Sequence, residues 1–298
     1  MSRLSQFIRA SWRRILPGSA PLPALIEGFD TTIAHEDLFE GCRRLGVEPV
    51  GPVASGFRQK SLGVAAVSPD GSRSWVKISA LHGIASHPWR EAELAAVGIR
   101  GVSKPELLAS RQWKQGDRHW LALQMTLATS PIVETGYFAG ANSARIETQW
   151  INSLKHALDT LRTIDTDRTS ISADEISTLI KDRFGPGAEH RADEWHCAHG
   201  DLHWSNLTYP DLMLLDWEHW GLAPRGYDAA YLLVFSCARP EVVQKIETVF
   251  AADLNCRSGR VALLALLAHR LINIEARLFD PVYKPHLEAM ARRVLAGR

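Results

Sequence analysis

The hydrophobic pattern of this 298-residue chain changes period once, near Thr126, and that change narrows the folds open to it. Before it, residues 50–55, 61–68 and 75–79 are short β-prone runs. The break Ser68-Pro69-Asp70-Gly71 pairs a Pro that fixes φ with a Gly that tolerates positive φ, so these runs read as an antiparallel meander. A short helix is expected over 89–97. Strands follow at 105–108 and at 119–125, the latter with Trp120, Ala122 and Gln124 in alternation. Beyond Thr126 the period is helical. Residues 143–164 place Ile146, Trp150, Ile151, Leu154, Ala157, Leu158 and Leu161 on one stripe, and 173–184, 225–237, 240–254, 258–278 and 281–295 continue in kind. Strands first and helices afterwards predict an α+β protein in two lobes. The expected division is a helical extension at 1–47, a β-rich lobe at 48–126 and a helical lobe at 127–298.

Charge excludes one class of partner. With 34 Lys+Arg against 33 Asp+Glu the net charge is +1, so binding of nucleic acid through bulk electrostatics is ruled out. The 46% hydrophobic content is that of a globular chain, and the apolar run 261–268 is far short of the ~20 residues that span a bilayer. Cys42, Cys197, Cys237 and Cys256 form no C-x-x-C pair, which predicts reduced thiols and a cytoplasmic protein. Arg3, Arg9, Arg13 and Arg14 precede the first acid, Glu27, and no signal-peptide core follows them. Leu4, Ile8, Trp12 and Ile15 make 2–16 a basic amphipathic helix. It is expected to pack on its own domain; contact with a membrane surface is the alternative.

The chemistry concentrates in one segment. Asp201 and Asn206, in His199-Gly200-Asp201-Leu202-His203-Trp204-Ser205-Asn206, have the spacing D-x-x-x-x-N, and Asp216 ends the apolar run Met213-Leu214-Leu215 ten residues later. In kinase-type phosphoryl transfer the first Asp orients the attacking hydroxyl and accepts its proton. The Asn and the second Asp then hold Mg²⁺ on the nucleotide phosphates, a role suited to hard oxygen ligands.

These residues, with Leu215-Asp216-Trp217-Glu218 and Pro224-Arg225-Gly226-Tyr227-Asp228, resemble the aminoglycoside phosphotransferase and choline kinase superfamily, over about 50–278. The resemblance implies a protein-kinase-like fold with the nucleotide site between the lobes, ATP or GTP and Mg²⁺ as cofactors, and a small-molecule hydroxyl acceptor. It assigns catalysis to Asp201, metal binding to Asn206 and Asp216, and the phosphates to Lys77, with Glu91 rather than Glu93 as the partner of Lys77. Ser55 and Gly56 would form a phosphate lid, Thr126 and Ala128 would offer backbone groups to adenine, and Asp228 would anchor the catalytic loop or cap the helix after it.

Competing readings are weaker on the residues. Gly51 and Gly56 have Walker A spacing, but Phe57 stands where that motif requires Lys. His199 and His203 share the spacing of a zinc motif, yet Gly200 replaces its general-base Glu and disfavours the helix it needs. The stretch from Asp216 to Asp228 is too short for the activation loop of a protein kinase. A non-catalytic nucleotide-binding or scaffold protein has no use for the proton acceptor and the metal ligands together. Trp204, Trp217, Trp220, Tyr227 and Tyr231, with Glu218, are candidates for an acceptor wall that suits an apolar or quaternary cationic molecule.

Overall fold

The computed structural model describes residues 33–56, 60–82 and 88–297; the helix expected at 2–16 and Phe57 lie outside them. Two compact units result, one reaching Gly98 and taking in Lys104–Thr129, the other made of Ile99–Ser103 and Ser130–Arg298.

The first unit begins with α1 (His35–Leu45), acidic in its first turn, basic in its last and closed by Gly46 at φ 76°. Five strands follow: β1 (Glu48–Ser55), β2 (Ser61–Val67), β3 (Arg73–His82), then after α2 (Pro88–Ala95) β4 (Leu107–Gln115) and β5 (Arg118–Thr126). They form one antiparallel sheet in the order β1-β2-β3-β5-β4. Lys77, in the middle of β3, faces Gly63 on β2 and Leu123 on β5.

Helix α1 falls within the stretch assigned above to an extension, but it is built into the first unit's core. Leu38 and Cys42, four residues apart on one face, cluster with Ile78, Trp120 and Ala122 of the sheet. The approach is close enough that Gly41 has no room for a Cβ, which would stand 2.7 Å from Ile78 Cγ2.

The second unit contains α3 (Ala141–Ala144), α4 (Thr148–Leu161), α5 (Ala173–Phe184), β6 (Trp195–Ala198), β7 (Gly221–Pro224), α6 (Tyr227–Val234), α7 (Pro240–Val249), α8 (Ala251–Leu254), α9 (Arg257–Glu275) and α10 (Lys284–Leu295). All of α6 is buried, and α9 is buried on nearly every side against α5, α6 and α10. No described helix is long and apolar enough to cross a membrane. Ala198 pairs with Gly221 in the antiparallel β6–β7 ladder, so residues 199–220 form the connection that closes this hairpin. Every chemical residue of the central motif lies on that connection.

Gly41→Ala sets two effects against each other. Alanine is the better helix former by ~1 kcal/mol, whereas overpacking a well-filled core costs roughly 1–3 kcal/mol. Ile78 is wholly buried and its Cγ2 branches at Cβ, so it has no flexible end to swing away. The overpacking is expected to win. Calorimetry should give a lower Tm for the variant, and a higher one would mean that α1 stands off from the sheet.

Candidate active site

Asp228, at the start of α6, is buried and accepts two backbone N–H bonds, from His199 at 2.8 Å and from Gly200 at 2.9 Å. Gly226 takes the N-cap position, so Asp228 serves the loop and not the helix end. Gly200 has φ 83°, and a Cβ there would collide with the His219 carbonyl and the Ser170 hydroxyl, so only glycine fits. His199 is fully buried. Its Nε2 lies 2.8 Å from the Leu215 carbonyl, and its Nδ1 accepts the Asp201 N–H at 3.4 Å. Burial holds the imidazole below its usual pKa in spite of nearby Asp228, Asp201 and Asp216, so it is neutral with both nitrogens engaged. That leaves no nitrogen for zinc.

This framework positions three side chains. Asp201, 22% exposed, accepts the Tyr231 hydroxyl on Oδ1 at 2.6 Å, and His203 Nε2 lies 3.4 Å from Oδ2. Burial by itself would raise the Asp201 pKa. Attraction and bonding to His203, the electrostatic influence of His219 and the Tyr231 hydroxyl outweigh it and hold the carboxyl well below the usual range. Asn206 is buried, and its Nδ2 donates to the Asp201 carbonyl at 2.9 Å and to Oδ2 at 3.4 Å. With the nitrogen so committed, its Oδ1 carbonyl is left for a cation. The Leu215 N–H donates to the Asn206 carbonyl at 2.9 Å, which ties the approach to Asp216 onto the same loop. Asp216 is exposed at φ 63°, a left-handed conformation that Asp tolerates better than most residues. An amide oxygen and a carboxylate are ligand types that suit a hard divalent ion. Glu218 follows at partial exposure in the turn.

In the first unit the Lys77 ammonium meets Glu93 at 2.8 Å, with the two side chains 11% and 8% exposed. The expected partner, Glu91, is exposed instead. The correction follows from helix phase: Ala92 and Ala96 are buried, and Glu93 lies about 60° from Ala96 around the axis where Glu91 lies about 140° away. Ser55 ends β1 and Gly56 follows it, its N–H donating to the Ser61 carbonyl at 2.9 Å. Thr126 ends β5 with its hydroxyl accepting the Glu106 N–H at 2.9 Å. Ala128 lies two residues beyond it, partly exposed.

The aromatic wall is a second correction. Trp204, Trp217, Trp220, Tyr227 and Tyr231 are all buried, Trp204 completely. Trp204 Nε1 donates to the Ser236 hydroxyl and Trp217 Nε1 to the Leu214 carbonyl, both at 2.9 Å, so these indoles point into the core. Only the Tyr231 hydroxyl reaches Asp201. Its part, and that of His203, had no local signal beyond a Tyr at helix spacing from Asp228 and a His inside the motif.

No protein-family model and no curated protein matches the sequence. Solved structures do match. An apo thermostable form of aminoglycoside phosphotransferase APH(4)-Ia is similar at TM-score 0.61 and 13% identity, over 86% of this chain and 98% of that one. This chain has the protein-kinase-like fold. Amicoumacin kinase hAmiN, in complex with AMP-PNP, Ca²⁺ and Ami, is similar at TM-score 0.56 and 12% identity, over 85% of this chain and 91% of that one. A ternary complex of the APH(4)-Ia enzyme with ADP and hygromycin B gives TM-score 0.59 at 12% identity, over 84% and 96%.

Two measurements follow from the geometry. Removing one partner of a buried ion pair costs roughly 3–5 kcal/mol, whereas an exposed substitution stays within about 0.5 kcal/mol. Glu93→Ala should therefore lower Tm markedly and Glu91→Ala should not; equal Tm values would break the pairing. His269 on α9 is pushed down from 6.5 to about 3, by burial and then by Arg270. Its folded pKa lies below its unfolded one, so the stability it lends is complete above 6.5 and is lost as pH falls toward 3. Between pH 7 and 5 the loss is about 2 kcal/mol. Denaturant titrations of wild type and His269→Gln should show a shallower pH dependence in the variant; parallel curves would refute the assignment.

Proposed function

We propose that this protein is an ATP-dependent O-phosphotransferase that transfers the γ-phosphoryl group to a hydroxyl of a small molecule with Mg²⁺ as the metal. The observation that carries the reading is Asp201: a carboxylate kept ionised, oriented by Tyr231 and Asn206, and still partly open to solvent.

In the reaction the acceptor oxygen bonds to the γ-phosphorus as the bond to the β-phosphate oxygen breaks, ADP leaves, and the hydroxyl proton passes to Asp201. A carboxylate with so low a pKa is a weak base. It suits a loose transition state, in which the hydroxyl needs orientation early and gives up its proton late. Lys77, held by Glu93, is assigned to the α- and β-phosphates, and Ser55 and Gly56 to the lid over them. The backbone of Thr126 and Ala128 is assigned to adenine. Asn206 and Asp216 would hold Mg²⁺, which supplies neutralisation of phosphate charge.

Asp201→Asn preserves size and one acceptor oxygen for Tyr231 while removing the charge. Turnover, read as ADP formation across a panel of antibiotics, amino alcohols, sugars and hydroxy acids, is expected to fall by about 10²- to 10⁴-fold with Mg·ATP affinity little changed. Near-normal turnover would remove Asp201 from the mechanism. Failure of the wild-type protein to bind nucleotide in the presence of Mg²⁺ would overturn the reading.

A further inference from the structure

Arg270, on α9, is 7% exposed and carries its charge into the interior of the second unit. Among the described residues no carboxylate lies within ion-pair distance of it, and its Nε has no hydrogen-bond partner. Its Nη2 reaches the Tyr231 hydroxyl only at 3.5 Å and meets the uncharged ring of His269 at 3.1 Å. Three rings surround the guanidinium, with Cζ 5.5 Å from the ring centroid of Tyr231, 5.1 Å from that of Phe235 and 5.4 Å from that of Phe279.

The same unit supplies counter-ions where they serve stability: Lys155, Arg162 and Arg225 all converge on Asp253. Arg270 is treated differently. A desolvated cation with an unused buried donor is costly to keep, whereas its planar fork matches a carboxylate or phosphate. Its position gives that feature a use. The Tyr231 hydroxyl that donates to Asp201 Oδ1 at 2.6 Å also receives Arg270, so one hydroxyl separates the cation from the carboxylate. Tyr137 and Phe279, both partly exposed and in edge contact with each other, lie beside the same group of rings.

We propose that Arg270 receives an oxyanion, a carboxylate or a phosphate group, belonging to the molecule whose hydroxyl Asp201 orients. The inference rests on the function proposed above and specifies its acceptor as a hydroxy acid or a phosphorylated alcohol, with anion and hydroxyl a few bonds apart. Arg270 offsets the repulsion between that anion and Asp201. The same charge disfavours polycationic and quaternary-ammonium acceptors.

Thermal unfolding of the full chain and of Arg270→Met tests this in acetate, in its neutral isostere acetamide, and in inorganic phosphate, all against chloride at equal ionic strength. Acetate, phosphate or both should raise the wild-type Tm by a few degrees, acetamide should not, and Arg270→Met should lose the response. The anion that acts identifies the group. Without ligand, Arg270→Met should melt at or above wild type, because an unpaired buried charge has been replaced by an apolar side chain of similar length. The inference is overturned if both anions leave wild type unmoved, if they shift both proteins equally, or if Arg270→Met melts well below wild type as loss of a structural brace. Mg·ATP measured alongside separates the two readings: a nucleotide shift without an anion shift defeats only the acceptor site, and an anion shift without a nucleotide shift defeats only the phosphotransferase.

Discussion

The carboxylate of Asp228 fastens the head of the Asp201 loop to the most deeply buried helix of its unit. Burial raises its pKa, while His199 and the two backbone N–H groups oppose that rise. Without the carboxylate, the amides of His199 and Gly200 would be buried and unbonded, at roughly 1–3 kcal/mol each. Because α6 is enclosed along its whole length, the anchor has little freedom to move. Gly200 supplies the backbone turn at that point, and His199 carries the constraint across to Leu215. Asp201, Asn206 and Asp216 all lie on the loop that begins at this attachment.

The electrostatics of the unit divide into two kinds. Around Asp253 three cations share a carboxylate, and around Asp228 two amides share another; each charge there is answered. Of these groups Arg270 alone lacks a counter-ion among the described residues, and one tyrosine hydroxyl joins it to the well-bonded Asp201. The neighbouring histidines are neutral: His199, beside Asp201, is held uncharged by burial, and His269, beside Arg270, by burial and the adjacent guanidinium. If Arg270 receives an oxyanion as proposed, its unspent polar capacity costs stability that the well-paired remainder of the unit offsets.

Much of the architecture was legible in the sequence because it is written in short periods. The meander, the long helices and the loop residues all appear as spacings of two to five residues, and D-x-x-x-x-N followed by an Asp that closes a short apolar run points to phosphoryl transfer before any contact is known. The four-residue strands β6 and β7 were not legible, since so short a run carries no periodicity. Nor was the docking of α1 on the sheet, because the helical face of Leu38, Cys42 and Leu45 does not record what it packs against. Buried and pocket-lining aromatics have the same composition, so the direction of the Trp204 indole could not be read from its neighbours in the chain.

Local spacing by itself determined the order of strand and helix and the set of residues able to carry the chemistry, because backbone periodicity and loop motifs are properties of residues within a turn or two of one another. Tertiary structure decided which carboxylate meets Lys77, where Asp201 finds its hydroxyl, and that Arg270 is buried without a counter-ion. Those outcomes depend on contacts between distant segments: Lys77 and Glu93 are 16 residues apart, Asp201 and Tyr231 are 30. Whether a charge is paired, exposed or stranded is fixed only when packing removes water from around it, and sequence spacing does not record that step.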